Sequence, residues 1–126
     1  MSTLRDVRVL VVENDEMNAT LLQLQLASQG ALVVGVASTV AAALELLAEQ
    51  APQVAFLDFW LSGSETSEPI AKALCECGVP FVLATGMDTD QVPEIFNAGI
   101  KLAKPYMSAE LNRALQQALE LAAVKP

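Results

Sequence analysis

Five short apolar runs recur along the 126-residue chain, at 7–12 (VRVLVV), 31–37 (ALVVGVA), 53–59 (QVAFLDF), 80–85 (PFVLAT) and 100–104 (IKLAK). A segment with room for a helix separates each from the next, and another follows the last. A continuous apolar run, rather than an alternating one, is what a strand covered on both faces requires. Strands separated by single helices pair in parallel through right-handed crossovers. The pattern predicts an α/β protein, a flavodoxin-like doubly wound (βα)5 sandwich with a parallel five-stranded sheet in the order 2-1-3-4-5. The short first strand-to-helix turn fits that order.

The intervening segments carry their own punctuation. Residues 16–29 place Met17, Leu21, Leu24 and Ser28 at helical spacing and close on Gly30. Ser38 or Thr39 can cap a second helix running to about Gln50, ahead of Pro52. A third spans about 68–77, with Pro69 in its first turn and Gly78 at its end. The segment "GMDTDQVPEIFNAG" (86–99) has room only for a short helix, because Pro93 bars a longer one. The last helix covers 108–123, capped by Ser108, with Leu111, Leu115, Leu119 and Ala122 on one face. A chain of this length holds one domain. The repeat fills it, so the expectation is a single domain over 1–126, with a core at about 6–123 and no output domain.

Charge narrows the partners. Seven basic residues stand against 15 acidic ones, a net charge of −8. That is too few cations to cover a phosphate backbone, so no nucleic-acid partner is expected. No apolar stretch is long enough to span a bilayer and the N-terminus has no signal-peptide profile, which predicts no membrane partner and a cytoplasmic location. Cys75 and Cys77 do not share a helix face and no His accompanies them, so they read as reduced thiols rather than a metal site.

Doubly wound sheets bind ligands outside the carboxyl ends of their strands. Here the first strand runs into "ENDE", Glu13, Asn14, Asp15 and Glu16. The third ends on Asp58, the fourth on Thr85 and the fifth on Lys104. In the expected order these strands are neighbours, so their end residues converge. Clustered carboxylates need a compensating cation, and a hard ion such as Mg2+ prefers oxygen ligands. Lys104 adds a point charge able to pair with Asp58 or with an incoming phosphoryl oxygen, and Thr85 offers that oxygen a hydroxyl. In-line phosphoryl transfer to Asp58 needs little beyond positioning and charge neutralisation. Each residue alone also fits a plainer role: Asp15 as a helix cap, Thr85 as a turn residue, Lys104 as a surface charge. Four strand ends presenting suitable groups at one edge favour the site.

The stretches "VLVVENDE", "VAFLDFWLSG", "FVLATG" and "KLAKPY" together resemble the receiver domain of two-component response regulators, over nearly the whole length. The resemblance implies that Asp58 is the phosphoacceptor, Thr85 the switch hydroxyl and Lys104 the lysine before Pro105. It puts Glu13 and Asn14 at the acidic-pair positions, so that Glu13, Asn14 and Asp58 would serve Mg2+, Glu13 by ordering a metal-bound water. It implies a signalling protein rather than an enzyme, phosphorylated by a histidine kinase or histidine phosphotransfer protein and acting on a downstream protein target. The chain has no His to serve as its own donor. "GSETSEPIAKALCECGVPFVLATG" is also similar to a subgroup of mainly single-domain bacterial receivers reading Phe-Ala-Thr-Gly in strand 4, with Leu83 in place of the Phe and Asp88 in place of a Tyr.

Two departures qualify what the resemblance implies. Asn14 stands where the family has an Asp that ligates the metal directly, which implies weaker Mg2+ binding and slower or more Mg2+-demanding phosphorylation. Lys101 stands where the family often has the aromatic partner of the switch Thr, so that rearrangement cannot operate as written. Tyr106 then reads as a packing residue. These departures keep a second expectation open, a degenerate receiver acting as a phosphorylation-independent interaction module. A haloacid-dehalogenase-type phosphohydrolase fits less well, because it wants Asp-x-Asp where this chain has Glu13-Asn14-Asp15. An FMN-binding flavodoxin wants Ser, Thr and Gly donors there.

Overall fold

The computed structural model describes residues 4–124. Five strands, β1 (Arg8–Val12), β2 (Leu32–Ala37), β3 (Val54–Asp58), β4 (Phe81–Thr85) and β5 (Ile100–Ala103), form one sheet in the order β2-β1-β3-β4-β5. Every pairing is parallel. Helices α1 (Glu16–Ser28), α2 (Val40–Gln50), α3 (Glu68–Cys77) and α4 (Ser108–Val124) cover the two faces. This is the flavodoxin-like order expected from the repeat, with four α-helices where the (βα)5 reading has five. Among the described residues no helix is long and apolar enough to cross a membrane.

The pleat divides the core in two. Leu10, Val12, Leu57, Phe81 and Leu83 pack with Leu47 of α2 and with Ile70 and Leu74 of α3. The alternate residues Val9, Val11, Phe56, Val82 and Leu102 pack with Leu22 and Leu26 of α1 and with Leu111 and Leu115 of α4. Side chains alternate across a strand, so a sheet covered on both faces needs apolar residues at every position. Each fully buried Leu or Phe contributes about 1.5–3 kcal/mol.

The helix ends follow local chemistry. Asp15 caps α1, its carboxylate accepting the Asn18 N–H at 2.9 Å. Thr39, rather than Ser38, caps α2 by accepting the Ala42 N–H at 3.2 Å. Gly78, at φ 73°, ends α3. The expectation that Ser108 caps α4 is corrected: Ser108 is the first helical residue, and its hydroxyl accepts from Gln25 Nε2 of α1 at 2.9 Å. Glu110 reaches back instead and accepts the Met107 N–H at 2.8 Å, half of a capping box.

Two further departures bear on function. The stripe Met17, Leu21 and Leu24 faces outward, with exposures of 82%, 55% and 64%. The buried face of α1 is Ala19, Leu22 and Leu26. The helix is apolar on both sides, so helical spacing alone does not say which side meets the sheet. The fourth crossover holds no α-helix at all, only 3-10 turns at Thr89–Gln91 and Glu94–Ala98 on either side of Pro93. Phe96 takes over the packing a helix would supply, fully buried and edge-on to Phe59 and Phe81 at 5.6 and 6.2 Å. Gly99 lets this segment lie against the sheet, since a Cβ there would fall 2.7 Å from the Phe81 carbonyl oxygen.

Candidate functional site

Register, more than any loop, assembles the site. Val12 pairs with Leu57 across β1 and β3, which sets Glu13 beside Asp58 one residue further on. Asp58 pairs with Ala84 and Thr85 with Ala103, so Thr85 and Lys104 follow at the same sheet edge. The Glu13 N–H donates to the Ala37 carbonyl at 2.9 Å and the Lys104 N–H to the Thr85 carbonyl at 3.0 Å, extending the ladders past the strand ends. Glu13, Asp58 and Lys104 continue the alternation of Val11, Phe56 and Leu102, so they project toward the α1 and α4 side.

Lys104 Nζ donates to Asp58 Oδ1 at 3.0 Å and lies 4.0 Å from Glu13 Oε1. Glu13 is only 4% exposed. Burial pushes its carboxyl up from 4.5 to about 7, and the neighbouring Asp58 pushes the same way. The Asp15 N–H, donating to Glu13 Oε2 at 3.1 Å, and the Lys104 ammonium pull it down without winning. Tyr106 packs edge-on to Phe56 at 6.0 Å. Burial, with Glu13 and Asp58 nearby, raises its phenol to about 12, so it stays protonated and serves as packing. The Lys104–Pro105 peptide is cis.

The other expected site residues lie at the same sheet edge, after β1 and at the end of β4, with different contacts. Thr85 is buried, and its Oγ1 accepts the Met87 N–H at 3.1 Å. That is the turn role its position before Gly86 allows, and it leaves the hydroxyl proton free to donate elsewhere. Asn14 is exposed, and its Oδ1 accepts from the Ser62 hydroxyl at 2.9 Å. Lys101 donates to Asn97 Oδ1, tying β5 to the crossover before it. A cavity of about 430 Å³ opens beside the carboxylates, lined by Glu13, Leu21, Gln25, Lys104, Pro105 and Tyr106. Ser62 was invisible to sequence reasoning: it lies 48 residues from Asn14, and no motif marks it.

Among the described residues no three Asp, Glu, His or Cys groups cluster as a metal site. The acids gathered here number two, Glu13 and Asp58, because the third position is Asn14. The donor set still suits a hard dication, since all the donors are oxygens and Glu13 is held in surroundings that penalise its charge until a cation offsets it.

The response regulator receiver domain family matches residues 9–116. No curated protein matches the sequence. SdrG from Sphingomonas melonis Fr1 is 35% identical over 94% of this chain and 99% of its own, with a TM-score of 0.78. The BeF3-activated conformation of SdrG from Pseudomonas melonis Fr1 is also 35% identical, with the same coverage and a TM-score of 0.76. The signal receiver domain of a modulated diguanylate cyclase from Desulfovibrio desulfuricans G20 is 26% identical over 96% of this chain and 100% of its own, with a TM-score of 0.83. A match over most of the chain, added to the strand order and the convergent strand ends, shows that this protein belongs to the response regulator receiver domain family.

Proposed function

We propose that this chain is a phosphoacceptor, taking a phosphoryl group on Asp58 from a histidine kinase or histidine phosphotransfer protein and signalling through contacts with a downstream protein. The observation that carries the reading is the Lys104–Asp58 ion pair at 3.0 Å with the buried Glu13 beside it. In the transfer an Asp58 oxygen bonds to phosphorus as the phosphorus–nitrogen bond breaks, and the electron pair returns to the imidazole. Lys104 is placed to follow the negative charge onto a phosphoryl oxygen, and the Thr85 proton is available to the same group. Glu13, Asn14 and Asp58 would hold Mg2+, which when bound supplies charge neutralisation at the phosphoryl oxygens.

The partners follow from the surfaces around the pocket. A donor histidine must come within bonding reach of Asp58, and the outward stripe Met17, Leu21 and Leu24 adjoins that opening through Leu21, so it is the surface on which the donor protein would sit. With Lys101 in place of an aromatic residue, the response would leave through the helix-free 86–99 crossover, which Thr85 grips at Met87. That short, helix-free crossover also supports the likeness to Phe-Ala-Thr-Gly single-domain receivers. The degenerate-receiver reading rests on Asn14 and Lys101 alone.

Beryllium fluoride, a phosphoryl mimic, separates the two readings. With Mg2+ present it should give a bound fluorine resonance and shift the amides of Asp58, Thr85 and Lys104, and Asp58→Asn should abolish both. A wild-type spectrum unchanged at saturating Mg2+ favours the degenerate receiver.

A further inference from the structure

The amide at position 14 is not left to itself. Asn14 is exposed on the loop after β1, and an exposed amide samples several rotamers unless something holds it. One contact does so: the Ser62 hydroxyl, 2.9 Å from Asn14 Oδ1 and reached across the mouth from the loop after β3. Ser62 is itself anchored. Its N–H donates to the Ser38 carbonyl at 3.1 Å, which ties it to the loop after β2. On the far side of its turn the Leu61 N–H donates to the Glu65 carbonyl at 2.7 Å, and Trp60 bridges Thr66. Glu65 Oε1 in turn accepts the Val40 N–H at the start of α2, at 3.0 Å. The hydroxyl therefore stands on a frame joining the loops after β2 and β3.

We propose that Ser62 is a positioning residue of the cation site: by donating to Asn14 Oδ1 it sets the amide across the mouth, oriented in advance to serve as a neutral ligand. The inference rests on the proposed site at Asp58 and adds a residue that the family motifs do not assign. An amide oxygen carries two lone pairs, so one can take the hydroxyl proton while the other faces a cation. Metal ligands are commonly oriented by such a second hydrogen bond, and its loss lowers affinity. A carboxylate at position 14 would be drawn to the cation by its charge. The amide has no such pull, so its orientation matters more.

Trp60, the only tryptophan, sits two residues from both Asp58 and Ser62 and supplies the readout without any phosphorylation. Mg2+ is titrated while Trp60 emission is followed, in wild type, Ser62→Ala, Ser62→Thr, Asn14→Ala and the Asn14→Ala/Ser62→Ala double variant. Ser62→Ala should raise the Mg2+ midpoint about threefold to tenfold, the range for a lost neutral hydrogen bond. Ser62→Thr, which keeps the hydroxyl, should restore it. In the Asn14→Ala background, removing the Ser62 hydroxyl should change nothing further. An unchanged or lower midpoint in Ser62→Ala overturns the proposal, as does an equal effect in both backgrounds. A wild type with no Mg2+ response, by fluorescence or by amide shifts at Asp15, overturns the cation site itself instead.

Discussion

Replacing Glu13 by Gln should remove most of the pH dependence of stability near neutrality. Glu13 is buried beside Asp58, and its folded carboxyl lies near 7 against an ordinary 4.5. Burial is the larger cause and Asp58 adds to it, while Lys104 at 4.0 Å offsets only part. Between these values the folded protein keeps a proton that the unfolded chain has lost. Stability therefore falls as pH rises from about 4.5 to about 7. At about 1.4 kcal/mol per pH unit the full loss is roughly 3 kcal/mol. The chain has no His, so no other side chain of ordinary pKa titrates midway through this window. Urea unfolding in EDTA at about pH 5 and about pH 8 measures it. Wild type should lose on the order of 2–3 kcal/mol between them, and Glu13→Gln should stay nearly flat and be the more stable at the higher pH. A wild type equally stable at both, or a variant with the wild-type slope, would refute the reasoning.

Three further outcomes are expected. Asn14→Asp restores a charged ligand and should tighten Mg2+ binding by about tenfold, which is about 1.4 kcal/mol, in a Trp60 fluorescence titration. Phe96→Ala opens a cavity between Phe59 and Phe81 and should cost about 3–5 kcal/mol in urea unfolding. Leu24→Glu, on the exposed face of α1, should leave stability within about 0.5 kcal/mol while slowing phosphotransfer from a protein donor, with transfer from a small phosphodonor unchanged.

What the sequence showed and what it hid have separate physical causes. Apolar runs such as 53–59 give away the sheet because strands buried on both faces cannot afford polar residues inside. The strand-end groups Glu13, Asp58, Thr85 and Lys104 were legible because parallel register carries consecutive strand ends to one edge. Direction was not legible in α1, where Met17, Leu21 and Leu24 have the same spacing as a core stripe yet face outward. Pro93 announced that a long helix could not form before β5. Only the structure shows Phe96 filling that space and Gly99 letting the chain close over it. Ser62 escaped because its contact with Asn14 depends on two loops meeting, and hydroxyl-bearing loop residues are too common to single one out.

The central claim is that Asp58 accepts a phosphoryl group despite the amide at position 14. Intact mass after incubation with a small-molecule phosphodonor at high Mg2+ tests it most directly, for wild type and Asp58→Asn in parallel. The wild type should gain the mass of one phosphoryl group and Asp58→Asn none. An unmodified wild type, or equal modification of both proteins, would contradict it.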